Sequence, residues 1–507
     1  MTNTSIVFIF FALLICFSIR SWWRLFFHKN IALSDTYHHL KIANIIRDIG
    51  LQRFNKEILP GYPAFYHWLL SLLPRNWLLG WERINGAFMD SLHLLLFVLI
   101  ILIFAPSSVL NSTLVWGTIL LAFCPAWLKK GFGPRAYGGT ERTLSEVQST
   151  GTFLGMWLFI STGNYLWLLI SIVISSSLLN TSRFAGQVLI SFTVLISIFN
   201  ASWELILVPF AAVPLAHLIS GGNYFLVMRK QWNHLKWYMG AINNSSAPVS
   251  YRNSWSNFVL NYRQGGMVRA AKYLAFNHSI FIGLLQHFPI LLVVTAFLFG
   301  VGRLPDDSFV YSWIIAAVIV WLVISTRWLM FLGEPDRYLI YAVIPEYFVI
   351  ASWATTVSGI WGLGILGLSI MWWILQQMML FRSYKPIPAQ IAQDKRKLID
   401  FLQSLPVSRL LTHGDSLFMW EMAYHTEHKH FLINSDVLFK VAWEDIFFRY
   451  PYPSLKAVKL LQSEIIAVEK SSISDQSFSE ESCLSFEGMT LVFDNKNFQV
   501  FSIQTSH

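Results

Sequence analysis

The sequence predicts a polytopic α-helical membrane protein with about eleven transmembrane helices and a small C-terminal α/β soluble domain. Three observations lead to this fold class. Of the 507 residues, 55% are hydrophobic and only 13% are charged, which leaves too little polar surface to cover a water-soluble core. Long apolar runs recur over residues 6–381. From about residue 382 the composition becomes polar and mixed.

The apolar runs are the candidate membrane helices. Several of them are shorter than the roughly 20 residues of a spanning helix, so we expect protein to cover the adjoining turns. The runs lie at about 6–26, 87–105, 110–128, 147–162, 165–180, 184–200, 202–220, 279–300, 308–328, 338–355 and 359–381. Their odd number places the two ends of the chain on opposite sides of the membrane.

The charges of the connecting segments leave two orientations. The segment after the first run and the segments 129–146 and 221–278 are basic, whereas the alternate connections are short and nearly uncharged. The positive-inside rule, taken alone, favours a cytoplasmic position for the basic segments. The alternative is a cytoplasmic N-terminus, with the basic segments forming an external surface for an anionic ligand.

These observations divide the chain into two predicted domains. Residues 1–381 form the membrane module, with interfacial loops at 28–86, 129–146 and 221–278. Residues 382–507 form the soluble domain, which begins with a polar helix and continues with the strand-like runs FLIN, TLVFD and FQVFSI. Its histidine-rich stretch AYHTEHKH does not place three ligands on one helical face, so we expect a solvated segment rather than a metal site.

The stretch SDTYHHLKIANIIRDIG, residues 34–50, follows the first apolar run. Its apolar residues recur with a helical period and Gly50 stands at its end, which predicts an amphipathic helix along the membrane surface. Asp35 then lies in the first turn of this helix. It is either a helix cap or a carboxylate that points into a cavity, because an ionisable residue near membrane depth is a functional candidate.

Three further motifs carry polar residues at the membrane surface. LPGYPAFYHWLLSLLP, residues 59–74, has the aromatic composition of the headgroup level. KKGFGPRAYGGTERTLSE, residues 129–146, is either a solvated loop or a segment that turns Glu141 or Glu146 back into the bundle. In FLGEPDRYLIYAVIP, residues 331–345, Arg337 lies in the first turn of a helix, where the helix dipole disfavours a cation. An anion held nearby would account for it.

These four motifs, in this order, resemble the C-type superfamily (GT-C) of integral-membrane glycosyltransferases. That superfamily includes protein O-mannosyltransferases, aminoarabinose transferases and the catalytic subunits of oligosaccharyltransferases. Its members carry an acidic residue just after the first helix, matched here by Asp35, and then a Pro/Tyr/aromatic segment. A second acidic or arginine motif follows the third helix, and a late Arg-Tyr element opens a helix, matched by Arg337 and Tyr338. The resemblance covers about residues 1–380.

The resemblance implies an activity and an orientation. The donor would be a polyprenyl-phosphate-linked sugar, and the acceptor a glycan, a lipid or a protein; membrane lipid would be the other partner, and nothing indicates a nucleic acid. The protein would span the cell (inner) membrane with a cytoplasmic N-terminus, an external active site and an extracytoplasmic C-terminal domain.

The resemblance also assigns roles to residues. The catalytic carboxylates would be Asp35, Glu141 and Glu146, with Asp35 as the base that accepts the acceptor's proton. The donor phosphate would be bound by Arg337, Tyr338, Arg135, Arg269 and Lys272. No cofactor is certain, but a divalent Mg or Mn ion held by Asp35, Glu146 and His38 is a further option.

Two other function classes remain open at this point. An O-antigen polymerase or ligase would also use arginines in a large external loop, but it would not require Asp35. A flippase or transporter of lipid-linked sugars would place polar residues in the middle of its helices along a path. The charges of this chain gather instead at helix ends on one side.

Overall fold

The computed structural model describes residues 3–22, 25, 34–128, 140–242, 253–326, 328–383, 388–414, 416–430, 458, 461–470 and 489–503. Within these ranges the chain is mainly helical. The helices are α1 (Asn3–Trp22), α2 (Ser34–Ile49), α3 (Leu51–Arg53), α4 (Phe65–Ser71), α5 (Leu78–Phe104), α6 (Leu110–Ala122), α7 (Glu141–Thr162), α8 (Leu166–Leu179), α9 (Arg183–Phe199), α10 (Leu207–Ile219), α11 (Tyr224–Ile242), α12 (Trp255–Asn277), α13 (Ser279–Gln286), α14 (Phe288–Leu298), α15 (Ser308–Ile324), α16 (Asp336–Ile340), α17 (Val343–Ala354), α18 (Gly359–Ser383), α19 (Ala389–Ser404) and α20 (Ser416–His425).

The predicted apolar runs coincide with helices or helix pairs. In the described part of the chain, three helical stretches are long and apolar enough to cross a membrane: Arg75–Phe104, Leu110–Trp127 and Gly359–Met378. Two bent pairs raise the number to five if each pair is one span: α10 with α11, bent by 111°, and α13 with α14, bent by 72°. Further apolar helices, such as α8 and α9, are shorter. The protein is therefore a membrane protein, and the number of eleven spans stays a prediction.

Aromatic stacking joins three helices where α5 ends and α15 begins. The ring of Trp157 on α7 stacks on Phe104 of α5 with 3.7 Å between ring centroids. Its other neighbour in the stack is Phe309 of α15, at 6.0 Å. Large rings contribute dispersion and burial energy together, so this stack ties the C-terminal half of α7 to α5 and α15.

The bundle also encloses charged residues. Arg20 on α1 donates from Nε to Asp90 on α5 at 2.6 Å and from Nη1 to the carbonyl of Ala122 at 2.6 Å. Both side chains of this ion pair are at most 1% exposed. In a second buried pair, Nδ1 of His287 lies 2.7 Å from Oε2 of Glu346 on α17. Charges removed from water are tolerated when they are paired in this way.

The surface segment 34–74 follows the sequence prediction closely. It contains α2, whose bounds match the predicted amphipathic helix, and the amide of Gly50 closes its last turn by donating to Ile46 at 2.8 Å. The segment 221–278 differs from the predicted loop, because it contains the two helices α11 and α12. Helix α12 is kinked at Gly265 and Gly266, and Gly266 has a φ of 65° that only glycine adopts easily.

The C-terminal part forms a five-stranded mixed sheet with the strand order β2-β1-β3-β5-β4. The strands are β1 (Arg409–His413), β2 (Lys429–His430), β3 (Ile465–Glu469), β4 (Met489–Asp494) and β5 (Phe498–Ile503). Strand β1 runs parallel to β2 and β3, whereas β5 is antiparallel to β3 and β4. The predicted strands TLVFD and FQVFSI fall on β4 and β5, and FLIN lies outside the described residues. The division of the chain at residue 382 stays a prediction.

The prediction that the histidine-rich stretch AYHTEHKH is solvated is wrong. His428 and His430 are buried, because both rings serve the packing of the domain. His428 Nε2 lies 2.9 Å from the carbonyl of Leu402, and His430 Nε2 lies 2.8 Å from Oγ1 of Thr412. Polar groups inside a core need such partners.

The C-terminal domain packs directly on α2. The rings of Tyr37 and Tyr424 lie 5.3 Å apart, and those of His38 and Trp420 lie 4.4 Å apart. Nζ of Lys41 donates to the carbonyl of Thr426 at 2.9 Å. Helix α20 therefore supports the helix that begins with Ser34 and Asp35.

Candidate active site

A cavity of about 370 Å³ lies among α7, α9, α11 and the segment that leads into α16. Its ionisable residues come from distant parts of the sequence. They are Tyr62, Glu141, Arg142, Arg183, His234, Glu334 and Arg337. Three arginines and two glutamates thus share one wall, which is a setting for an anionic ligand.

Two helices begin at this cavity. Thr140 caps α7, because its Oγ1 accepts from the amide of Arg142 at 3.1 Å. Glu141 and Arg142 therefore lie in the first turn of α7. Arg183 is the first residue of α9. Unpaired amides and the helix dipole make such N-termini favourable for negative charge, which adds to the effect of the arginines.

Arg183 is held in place from several sides. Its Nη2 donates to the carbonyl of Gly61 at 3.1 Å, and its guanidinium lies 5.9 Å from the ring centroid of Tyr62. Gly61 is itself positioned by Asn223, whose Oδ1 accepts from the Gly61 amide at 2.8 Å. The Nε of Arg183 is buried and has no hydrogen-bond partner among the described residues. A ligand in the cavity could accept from this atom.

Arg337 also lines the cavity. Its guanidinium forms an ion pair with Glu334 three residues earlier. The neighbouring Tyr338 lies behind the wall, because it is 1% exposed and its hydroxyl donates to Oε1 of Gln187 at 2.7 Å. Gln187 lines the cavity, so Tyr338 acts on the cavity through this contact.

Glu141 connects the cavity to a chain of histidines behind it. Oε2 of Glu141 lies 3.0 Å from Nε2 of His39 on α2. Nδ1 of His39 lies 2.7 Å from Nε2 of His67 on α4. The chain continues to the hydroxyl of Tyr62, which lies 3.5 Å from His67 and 3.2 Å from Nε2 of His38. Elements that are far apart in sequence therefore meet at one carboxylate.

The environment sets the charges of this chain. Burial raises the pKa of Glu141, but the charge and contact of His39 lower it by more, so that its pKa lies well below its usual range. Burial lowers the pKa of His38 to about 3, and burial also lowers the pKa of His67 well below its ordinary value. At neutral pH we therefore expect an ionised Glu141 and neutral His38 and His67.

The structure brings together two of the predicted site residues, Glu141 and Arg337, which both line the cavity. Glu146 is buried on α7 and is absent from the cavity lining. Arg269 and Lys272 lie on α12 with exposed side chains and are also absent from that lining. The roles of these residues stay predictions.

Two predicted residues cannot be placed. Arg135 lies outside the described residues, and so does the side chain of Asp35, whose backbone belongs to the first turn of α2. Within the described ranges, no group of three or more His, Cys, Asp or Glu side chains is arranged to hold a metal ion. The predicted metal ligands include Asp35, so the Mg or Mn site stays a prediction.

Arg142, Arg183, His39 and His67 are residues of this site that were not predicted from the sequence. A signal for Arg183 existed, because it stands in the first turn of an apolar helix, where the helix dipole disfavours a cation. The same argument selected Arg337. His39 and His67 fall within the two motifs at 34–50 and 59–74, but their spacing in sequence carries no sign of their contact.

Comparison with known proteins identifies the fold. No protein-family model and no curated protein sequence matches the chain. Among solved structures, the chain is similar to the archaeal oligosaccharyltransferase AglB from Archaeoglobus fulgidus in complex with an inhibitory peptide and a dolichol-phosphate, with 12% identity and a TM-score of 0.53 over 92% of this chain and 69% of that one.

Two further structures are similar at lower scores. The Archaeoglobus fulgidus oligosaccharyltransferase tethered to an acceptor peptide matches with 11% identity and a TM-score of 0.49, covering 92% of this chain and 69% of that one. ArnT from Cupriavidus metallidurans in the apo state matches with 12% identity and a TM-score of 0.41, covering 98% and 97%. The likeness to AglB shows that the chain shares the fold of that structure, which confirms the fold that the predicted resemblance implies.

Proposed function

We propose that the protein transfers a sugar from a polyprenyl-phosphate-linked donor to a lipid, polysaccharide or protein acceptor, and that the cavity is its active site. One observation carries the proposal: Arg142, Arg183 and Arg337 converge with Glu141 in a single cavity. Such a site can hold a phosphate and activate a hydroxyl within the same space. The AglB fold, seen there with a dolichol-phosphate, supports this choice of donor.

The arginines would neutralise the leaving group. In the reaction, the acceptor oxygen bonds to the anomeric carbon, and the bond from that carbon to the phosphate oxygen breaks with its electron pair. Negative charge therefore develops on the phosphate in the transition state. Guanidinium groups and the N-termini of α7 and α9 would stabilise this charge. Because they are already in position, the protein would not have to reorganise when the charge develops.

The proton of the acceptor hydroxyl would pass to a carboxylate. Asp35 is the base that we predict from the sequence motif, and Glu141 is the carboxylate on the cavity wall. A positioned general base of this kind accounts for about 10²–10⁴ of a rate enhancement. The variants Asp35→Asn and Glu141→Gln distinguish the two, because the one that removes the base should show a loss of this size.

Helix α12 would bring the enzyme into contact with the donor's membrane. Trp255, Tyr262, Met267 and Val268 are exposed on it, together with Arg263, Arg269 and Lys272. Aromatic and basic side chains in this mixture favour the level of lipid headgroups. We propose that this surface and the cavity lie on the external face, with a cytoplasmic N-terminus and an extracytoplasmic C-terminal domain. A topology reporter at the C-terminus that scores cytoplasmic would overturn this orientation.

We also propose that a divalent Mg or Mn ion, held by Asp35, Glu146 and His38, would act in addition to the arginines. Its test is simple. Transfer by chelator-treated protein should recover when Mg²⁺ or Mn²⁺ is added back. Full transfer in the presence of chelator would remove the metal from the mechanism.

The main experiment is a transfer assay on the purified full chain in lipid nanodiscs. A panel of radiolabelled polyprenyl-phosphate sugars is offered together with lipid, glycan and peptide acceptors. We expect turnover of at least one donor and a loss of about 10²–10³ in kcat for Arg183→Ala and for Arg337→Ala, by analogy with the removal of other transition-state donors.

The control comes from an exposed ion pair, Arg53 with Glu57, whose side chains are 63% and 55% exposed. Arg53→Ala should retain the wild-type rate, since such pairs contribute little to stability. Turnover of none of the donors would reject the transferase. Movement of the lipid-linked sugar across the bilayer without cleavage would instead establish the flippase alternative.

A further inference from the structure

His39 connects three helices behind the cavity. It belongs to α2, whereas the carboxylate that it contacts begins α7 and the histidine on its other side belongs to α4. Both ring nitrogens are engaged, with 3.0 Å from Nε2 to Oε2 of Glu141 and 2.7 Å from Nδ1 to Nε2 of His67. A ring held at both nitrogens has little freedom to rotate, as with histidines oriented by a neighbouring group.

The Glu141 carboxylate needs such a partner. Its side chain is 22% exposed, and its Oε2 atom is buried. An ionised oxygen that is removed from water is costly unless a donor faces it. His39 is 7% exposed at the side chain, so the donor is itself protected from competing water.

Other charged and titratable groups surround this pair. His38 precedes His39 on α2, and Arg142 follows Glu141 on α7. Four further titratable groups interact electrostatically with members of this cluster. They are His67 and Tyr66 from α4, Glu82 from α5 and Arg183 from α9. Of these groups, His39 lies in direct contact with Oε2 of Glu141, at 3.0 Å from its Nε2. It is therefore the group that can determine where the carboxylate points.

We propose that His39 is a positioning residue of the transfer reaction, which holds the Glu141 carboxylate in one orientation at the cavity wall so that Glu141 accepts the proton of the acceptor hydroxyl. This inference rests on the proposed function and deepens it, because it selects Glu141 over other carboxylates as the proton acceptor. Nε2 of His39 faces Oε2 at 3.0 Å as an ion-pair contact, and His67 holds the far side of the ring. His39 itself does not touch the substrate.

The conservative substitution for His39 is glutamine, whose amide nitrogen reaches to about the position of Nε2. His39→Ala removes the contact and leaves the carboxylate without a fixed partner. His217→Gln is the matched control, because His217 packs on Phe225 with 4.3 Å between ring centroids and is absent from the cavity lining.

The experiment measures kcat and KM for donor and acceptor in nanodiscs for wild type, His39→Ala, His39→Gln, His217→Gln, Glu141→Gln and the double variant His39→Ala/Glu141→Gln. We expect His39→Ala to lower kcat by about 10–100-fold, with the donor KM within about 2-fold of wild type, since a misplaced base affects the chemical step. His39→Gln should recover to within about 5-fold of wild type, and His217→Gln should equal it. The double variant should be no slower than Glu141→Gln, because both substitutions remove the same function.

Several results would overturn the positioning role. They are wild-type kcat in His39→Ala, equal losses in His39→Ala and His39→Gln, or a further loss when His39→Ala is added to Glu141→Gln. Thermal melting of each variant shows whether a loss comes from unfolding instead, in which case the melting midpoint falls together with kcat and the role is structural. If wild type turns over a donor and Glu141→Gln remains active, only this inference fails. If wild type turns over none, the proposed function fails with it.

Discussion

Among the described residues, the pairs His39–Glu141 and His287–Glu346 have similar chemistry and different surroundings. In the first, His39 and Glu141 have side-chain exposures of 7% and 22%, and Glu141 lines the cavity. In the second, His287 and Glu346 lie 2.7 Å apart with exposures of 6% and 4%, and neither lines that cavity. An ion pair therefore has a chemical role only where a reactant can reach it. An enclosed pair can only hold helices together.

The buried pair of Arg20 and Asp90 extends the comparison to arginine. It joins α1 to α5 and is at most 1% exposed, whereas Arg337 pairs with Glu334 at the cavity with exposures of 22% and 12%. Both arginines are neutralised by a carboxylate. The one at the cavity can exchange part of that pairing for a phosphate, whereas Arg20 does not line that cavity.

The largest expected effect separates the two histidine–glutamate pairs directly. Glu141→Gln should lower the rate of sugar transfer by about 10²–10⁴ without changing the melting midpoint, because it removes a general base and little packing. Glu346→Gln should lower the melting midpoint and leave the rate per folded molecule close to wild type. The measurements are kcat and thermal melting on the same preparations. A catalytic loss in Glu346→Gln at unchanged stability would contradict the distinction.

The next effect concerns stability alone. Asp90→Ala leaves the Arg20 guanidinium in the bundle without its carboxylate, so we expect a destabilisation of about 3–5 kcal/mol. Asp48→Ala is the control, because Asp48 pairs with Arg75 at exposures of 54% and 61% and exposed pairs contribute about 0–1 kcal/mol. Denaturation in detergent or nanodiscs provides the comparison. Equal stability of the two variants would mean that the buried pair contributes no more than the exposed one.

The smallest effect concerns His430, a buried histidine whose partner is a hydroxyl group. His430 faces the Thr412 hydroxyl instead of a carboxylate, and burial lowers its pKa from 6.5 to about 3. The folded pKa lies below the unfolded one, so the unfolded chain binds the proton more readily. Stability is therefore complete above pH 6.5 and decreases as the pH falls towards 3. At pH 5 the expected cost to the free energy of unfolding is about 2 kcal/mol.

His430→Gln removes the titrating group and keeps a polar side chain next to Thr412. The acid-induced loss of stability between pH 6.5 and 5 should therefore be smaller in this variant than in wild type. Hydrogen exchange of the amides in β1 and β3, measured across this pH range in the full chain, reports on the sheet. An unchanged pH dependence would show that His430 does not control the acid stability of the domain.

Much of the architecture was predictable from local patterns. The apolar runs fall on helices, α2 has the predicted bounds, and β4 and β5 fall on two predicted strands, because the periodicity of hydrophobic residues reflects which face each element buries. Glu141 and Arg337 were predicted as site residues because charges at the ends of apolar helices need a partner, and both line the cavity; their catalytic roles stay predictions. The helix-pair structure of segment 221–278 was not predicted, since its polar and aromatic residues resemble a loop.

The choice between Glu141 and Glu146 illustrates where prediction from sequence ends. Five residues on a helix correspond to a rotation of about 500°, so the two side chains point about 140° apart and cannot both face one cavity. This much follows from spacing. Which of the two faces the cavity depends on how α7 is rotated about its axis within the bundle. The packing of Trp157 between Phe104 and Phe309 is one of the contacts that fix this rotation.

The sequence by itself determined that this is a membrane protein with charged motifs at the ends of its helices, because hydrophobicity and periodicity are local properties. The tertiary structure alone decided that Arg183 from α9 joins Arg337, and that His39 and His67 meet behind Glu141. These contacts join residues from separate helices. Their distances follow from the packing of whole helices against one another, which no local pattern in the chain records.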